Sequence, residues 1–173
     1  NVAVGKDALK ANTTADNNTA VGIDALTANT TGHSNVAIGA NALLTSTTRL
    51  GNTAVGFNAA KVTDTTGIVA VGYKAMEANT TGYDAVAVGA SSLLANTTGH
   101  SNTAVGFSAL AANTTGADNT AVGNSALLAN TTGTRNTVVG VDSSNQITSG
   151  SDNTAMGYDS LTRCTTGGSN TCI

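Results

Sequence analysis

The chain has 173 residues, of which 10 percent are charged and 3 percent aromatic, with no tryptophan or proline and a net charge of −3. So few large side chains cannot fill the thick core of an ordinary domain of this length, and the acidic balance excludes the basic footprint of a protein that binds nucleic acid or an anionic membrane. No run of about 18 apolar residues is present, so the sequence predicts no membrane-spanning helix.

One short unit recurs along the chain, from Asn1–Gly5 to Asn170–Ile173. Its glycine returns every 17 residues, with one step of 16 between Gly56 and Gly72. Stacked copies bury the apolar face that one copy cannot, so this period predicts an all-β, parallel β-solenoid (β-roll) with one coil per repeat and ten coils, about 48 Å long. Both ends lie inside copies, which predicts a single array over 1–173, cut from a longer fibre protein.

The residues before each glycine form fixed columns. Three places and one place before it stand β-branched or aliphatic residues, such as Thr103 and Val105, which share one side of a strand. We expect them to form the buried face. The alanine between them must then face outward, and so small and uncharged a surface is typical of a place where another chain lies flat. The predicted self-association residues are Ala20, Ala37, Ala54, Ala87, Ala104 and Ala121.

The second limb of each unit carries leucine four places after the glycine, as at Leu110, with alanine or serine always before it. In a strand with one buried face, the residue before the leucine would face solvent and could vary, but here it is always alanine or serine. Over so few residues the pattern fits either a short strand or a single helical turn, and we favour the strand.

The unit closes with Asn-Thr-Thr-Gly, as at Asn96–Gly99, whose residue types suit a tight corner. The same string matches the N-glycosylation acceptor pattern. Successive coils lie about 4.8 Å apart, which is too close for a glycan on the asparagine of every coil. We therefore favour a buried ladder of stacked asparagines over glycosylation. The shortened copy between Gly56 and Gly72 predicts a local bulge.

The repeated strings before and after the glycine resemble the repeats of known fibrous surface proteins. Asn1–Gly5 and Asn35–Gly39, followed by a short alanine-containing limb and a Thr-Gly corner, resemble the head repeats of trimeric autotransporter adhesins. The longer form Asn102–Gly116 is similar to repeats of bacterial surface fibres and phage tail-fibre shafts. The likeness covers essentially the whole chain. It implies a left-handed β-roll that forms a homotrimer through the alanine column, in an extracellular location at a cell surface or on a virion.

The sequence contains few residues that could take part in catalysis or metal binding. An enzyme needs convergent nucleophiles, acids and bases, whereas His33 and His100 lie four coils apart and no carboxylate pair stands out. We therefore predict neither catalysis nor a cofactor or metal. The paired threonines at the corners suggest an ice-binding face, but adjacent residues point to opposite sides, and corner hydrogen bonding explains them better.

Four aromatic residues share the position directly after the glycine, and two cysteines fall in the last two coils. Phe57, Tyr73, Phe107 and Tyr158 are candidates for stacking on sugars or on a neighbouring rod, with corner packing as the favoured explanation. Cys164 and Cys172 are candidates for a disulfide within or between chains, with free thiols as the alternative.

The sequence as a whole predicts a structural rod of an extracellular fibre or filament, of the adhesin type, whose partner is a further copy of itself in a homotrimer or filament. The alternative is a receptor- or carbohydrate-binding tail-fibre or adhesin module that contacts a host surface or glycan, and the third candidate is an ice-binding protein.

Overall fold

A computed structural model describes residues 1–173 as one parallel sheet of eleven strands, each two or three residues long, wound into a solenoid without any helix. Each strand pairs with the next one in the chain. The predicted all-β parallel β-solenoid is confirmed. The strands are β1 (Val2–Val4), β2 (Thr19–Val21), β3 (Val36–Ile38), β4 (Thr53–Val55), β5 (Val69–Val71), β6 (Val86–Val88), β7 (Thr103–Val105), β8 (Thr120–Val122), β9 (Thr137–Val139), β10 (Thr154–Met156) and β11 (Thr171–Cys172).

Equivalent residues lie directly over one another. Ala104 pairs with Ala121, one repeat later. The short repeat leaves this register intact, because Thr53 still pairs with Val69. The missing residue is absorbed in the corner, where the backbone N–H of Ile68 donates to Asn52 Oδ1 at 3.2 Å. The irregularity is therefore confined to the corner and does not reach the sheet.

The second limb is a run of hydrogen-bonded turns, so the prediction of a strand or a helical turn is wrong. The N–H of Ala109 donates back to the carbonyl of Gly106, and the N–H of Leu110 donates to Ala126 on the next coil at 3.0 Å. Ser108 and Leu110 have φ of 53° and 54°, the left-handed region. A turn whose third residue has a positive φ is compact. The second limb is therefore not extended like a strand, but it stacks from coil to coil with the same spacing as the strands.

A leucine in the left-handed region restricts what can replace it. The column contains Leu, Met, Ala and Ser but no β-branched residue, because a side chain branched at Cβ is a steric outlier there. We expect Leu110→Ile, an isomeric change at a fully buried site, to cost about 1–3 kcal/mol through backbone strain. Leu110→Met, which copies native Met76, should cost less than about 1.5 kcal/mol. Chemical denaturation of both variants tests this, and equal losses would contradict it.

The strand faces are reversed relative to the sequence prediction. The predicted contact residues Ala20, Ala37, Ala54, Ala87, Ala104 and Ala121 are all fully buried inside their own chain. They pack with the leucine column in a single core cluster. The valine and threonine columns face outward instead. A direct contact between chains through the alanine column is therefore wrong.

The narrow lumen explains this reversal. Alternation along a strand says only that the alanine and valine columns face opposite sides. Where leucine occupies the second limb, its side chain reaches across the coil and leaves room for little more than a methyl group on the opposite wall, since interiors pack without voids or overlap. The one inward valine, Val138, lies on a coil that carries Ser144 in place of the leucine. Alanine therefore points inward because it is small, and the larger aliphatic side chains are left at the surface.

Candidate interaction surface

The outward side chains of the strands form one continuous surface, the valine–threonine face. Its first column is Val2, Thr19, Val36, Thr53, Val69, Val86, Thr103, Thr120, Thr137 and Thr154, and its second column is Val4, Val21, Ile38, Val55, Val71, Val88, Val105, Val122, Val139 and Met156. No member is charged. The apolar side chains are exposed at some positions, such as Ile38 at 40% and Met156 at 46%, and half-buried along the central strands. A contiguous uncharged surface that is partly apolar and reaches solvent is typical of an interaction site.

The predicted aromatic residues lie at one edge of this face, and all four are exposed, from 44% at Phe57 to 78% at Tyr158. Corner packing, the favoured explanation, therefore leaves much of each ring in solvent. Phe57 and Tyr73 stack on each other with ring centroids 5.7 Å apart. A second stack, of Tyr83 on His100 at 4.8 Å, was missed in the sequence because the two residue types differ.

The predicted asparagine ladder at the Asn-Thr-Thr-Gly corners is confirmed. Asn96 Nδ2 donates to Asn79 Oδ1 at 2.7 Å and to the carbonyl of Gly99 at 2.9 Å. Asn113 repeats the pattern on the next coil, with Nδ2 2.7 Å from Asn96 Oδ1. These amides are fully buried, so a glycan on them is incompatible with the fold.

A second asparagine ladder, directly before the strands, was missed in the sequence. Asn119 donates its backbone N–H to Asn102 Oδ1 at 3.0 Å, and its Nδ2 to the same oxygen at 3.2 Å and to the carbonyl of Gly133 at 2.9 Å. The sequence pattern that could have revealed this ladder is the asparagine that recurs two residues before the alanine of most strands. Residues two apart share a strand face, so this asparagine and the alanine point into the same lumen.

The first of these ladders has a defect at Ser46. Ser46 Oγ and the Oδ1 of Asn29 on the preceding coil are both buried without a hydrogen-bond partner. Such atoms cost about 1–3 kcal/mol each. We expect Ser46→Asn, which restores the residue type of the ladder, to stabilise the protein by about 1–2 kcal/mol. A raised denaturation midpoint measures this, with Ser46→Ala as the control that removes one defect without making the bond. A lower midpoint for the asparagine variant would contradict the ladder.

Two corner ion pairs cross from coil to coil: Arg49 with Asp64 at 3.1 Å, and Arg135 with Asp152 at 2.7 Å. The hydrogen bond from Arg135 lowers the pKa of Asp152 below its usual value, against a smaller opposing effect of desolvation. The bond with Asp152 likewise raises the pKa of Arg135. Both pairs are exposed, and exposed pairs contribute little to stability.

The buried polar residues are all neutral Asn, Ser and Thr, which predicts a flat dependence of stability on pH. Because the pKa of Asp152 is depressed, its contribution is present above the pKa of the unfolded chain and is lost as the pH falls through the folded value. We expect the unfolding free energy to be constant from neutral pH to about pH 4.5 and to fall only slightly below it. Asp152→Asn should remove that residual slope. A steep loss near pH 6 would contradict a core without ionisable groups.

The remaining predicted sites separate in the structure. The first threonine of each corner pair is used internally, as Thr97 Oγ1 donates to the carbonyl of Thr114 at 2.9 Å, which removes the support for ice binding through these pairs. The imidazole rings of His33 and His100 each form a hydrogen bond only with the serine that follows in the chain. Cys164 and Cys172 are free thiols.

The protein has no enclosed cavity, and no cluster of three His, Cys, Asp or Glu residues could hold a metal ion. No helix is long and apolar enough to cross a bilayer. The fold and its repeated surfaces define the chain as a β-solenoid repeat protein. No family model matches it, and no curated protein or solved structure matches it either.

Proposed function

We propose that the chain is a structural rod of an extracellular fibre or filament, and that it assembles side by side with copies of itself through the valine–threonine face. The observation that carries the proposal is the unbroken register of this uncharged face over the length of the rod. The resemblance of its Asn-Thr-Ala-hydrophobic-Gly unit to repeats of surface fibres and tail fibres is the basis for proposing an extracellular location.

The face is best matched by another copy of itself. A partner must bury a strip without charges, so a charged or strongly polar surface would lose hydration without gaining ion pairs. A second copy offers the same aliphatic side chains at the same spacing of about 4.8 Å, which lets side chains interdigitate along the whole rod.

The dimensions of the face favour more than two copies. A strip about 48 Å long and three residues wide covers about 500 Å² per chain, whereas a stable pairwise interface buries about 800 Å² per partner. A homotrimer lets each chain contact two others, and a filament extends the strip. Both arrangements bury more surface per chain than an isolated pair does, and so reach the area that a stable interface needs.

Sedimentation of the double variant Val88→Glu, Val122→Glu tests this role. Both side chains point out of the sheet and are partly exposed, so the coil should stay folded by circular dichroism while the oligomer dissociates to monomers. Asn124→Glu, an exposed residue at the neighbouring corner, is the matched control and should leave the oligomer unchanged. A wild-type chain that sediments as a monomer at all concentrations would refute lateral assembly.

The exposed aromatic column favours a second candidate, a receptor- or carbohydrate-binding module. Tyr73 and Phe107 expose 54% and 57% of their surface, more than corner packing requires. Exposed rings stack on apolar faces of ligands, and this position borders the valine–threonine face without belonging to it. The two roles are therefore compatible on one rod.

A further inference from the structure

A gap in the aromatic column lies between two exposed rings. The column reads, coil by coil, Ala40, Phe57, Tyr73, Ala90, Phe107, Asn124 and Val141. Ala90 is the small residue with an aromatic ring on both neighbouring coils. Its methyl group leaves open the space between Tyr73 and Phe107 that a ring occupies elsewhere in the column.

The spacing of this gap suits one ring. Tyr73 and Phe107 are two coils apart, about 9.6 Å at 4.8 Å per coil. Rings on adjacent coils already stack, since the centroids of Phe57 and Tyr73 are 5.7 Å apart and their planes differ by 14°. Stacked rings lie about 4.5–7 Å apart, so one further ring between Tyr73 and Phe107 would contact both walls.

Polar side chains border the gap. Ser91 and Ser108 each follow a residue of the gap and are partly exposed. Lys74 Nζ lies 5.7 Å from the centroid of the Tyr73 ring and 3.3 Å from Glu77 Oε2. Two hydroxyl-bearing residues therefore lie next to gap residues in the chain, and the Lys74–Glu77 ion pair lies beside the Tyr73 wall.

We propose that the slot formed by Tyr73, Ala90 and Phe107 binds one pyranose ring of a neutral glycan. A pyranose has apolar C–H faces and a rim of hydroxyl groups. The faces stack on the two aromatic walls, and the rim reaches Ser91, Ser108 and the Lys74 ammonium. Anionic sugars are disfavoured because Lys74 is paired with Glu77, and an aromatic side chain of another protein would leave the polar rim unused.

This site rests on the second candidate function, the carbohydrate-binding module, and does not depend on the rod function. Tyr73 and Phe107 come directly after the glycine that ends each strand limb, so the slot opens at a corner and not within the valine–threonine face. A rod assembled through that face would present one slot on each of its chains, and several weak sites on one particle bind a glycan-coated surface more tightly than one.

Saturation-transfer NMR with methyl β-D-glucopyranoside, methyl β-D-galactopyranoside and methyl α-D-mannopyranoside tests the proposal on the whole chain. We expect transfer to the ring C–H protons of at least one of these sugars. Ala90→Phe should abolish the transfer by filling the slot, and Phe107→Ala should weaken binding by roughly twofold to tenfold. Tyr83→Ala, which removes an exposed ring outside the aromatic column, is the control and should bind as the wild type does.

The proposal is overturned if none of the three sugars receives transfer, or if Ala90→Phe binds as well as the wild type. A change in sedimentation caused by Ala90→Phe would also overturn it, because the slot would then hold a ring of another chain. Circular dichroism verifies that each variant is folded. Sugar binding that is lost while the oligomer is unchanged tests only the slot. Dissociation of the oligomer by the Val88 and Val122 substitutions tests only the rod function.

Discussion

Ala104→Glu is expected to unfold the central coils. Ala104 is fully buried in strand β7 and stacks on Ala87 and Ala121. A glutamate there must place an unpaired carboxylate in a narrow lumen against the alanine and leucine columns, with no room for its length. Leaving a buried charge without a partner costs about 3–5 kcal/mol. In an array whose repeats support one another, loss of a central coil also removes two interfaces.

Far-UV circular dichroism and denaturation of Ala104→Glu measure this effect. Val105→Glu is the matched control, one residue along the chain, because Val105 lies on the valine–threonine face and is only half-buried. We expect it to retain the spectrum and to lose the oligomer. A folded Ala104→Glu with an unfolded Val105→Glu would restore the face assignment that the sequence alone favoured.

Gly106→Ala is expected to have a comparable effect at the end of the same strand. The backbone of Gly106 has a φ of 137°, a conformation that residues with a side chain rarely adopt. A Cβ built on it would overlap the carbonyl oxygen of Gly123 on the next coil. The added methyl group must therefore separate two stacked coils, and we expect a loss of several kcal/mol, on the order of 3 or more.

Gly51→Ala is the control that separates strain from overlap. Gly51 also has a positive φ, of 69°, but a Cβ there meets no atom within 4 Å. It should cost only about 1–2 kcal/mol, the penalty of a left-handed alanine. If the two variants had equal thermal unfolding midpoints, coil-to-coil contact at Gly106 would not be the cause.

The corners and the period were predictable because their chemistry is local. A repeated glycine every 17 residues implies stacking, and Asn-Thr-Thr-Gly contains the residue types that a hydrogen-bonded corner requires. The second limb was mispredicted because leucine gives no sign of a left-handed conformation. At Leu110 that conformation follows from the hydrogen bond to Ala126 on the next coil, which a single repeat does not contain.

The identity of the lumen-facing column could not be read from a strand of three residues. Thr103, Ala104 and Val105 alternate in either orientation, and burial of the larger residues is the usual expectation. The opposite outcome is decided by Leu110, which occupies the lumen. The aromatic slot was likewise not visible, because it depends on which residues of separate coils become neighbours.

The sequence by itself determined that the chain is a stack of similar coils, most of them with a hydrogen-bonded asparagine corner, since the period and the Asn-Thr-Thr-Gly string recur along the chain. Only the tertiary structure decided which side of each strand meets solvent. That choice depends on how much space the second limb leaves across the lumen, and this distance is fixed by turns that form only when one coil lies on the next.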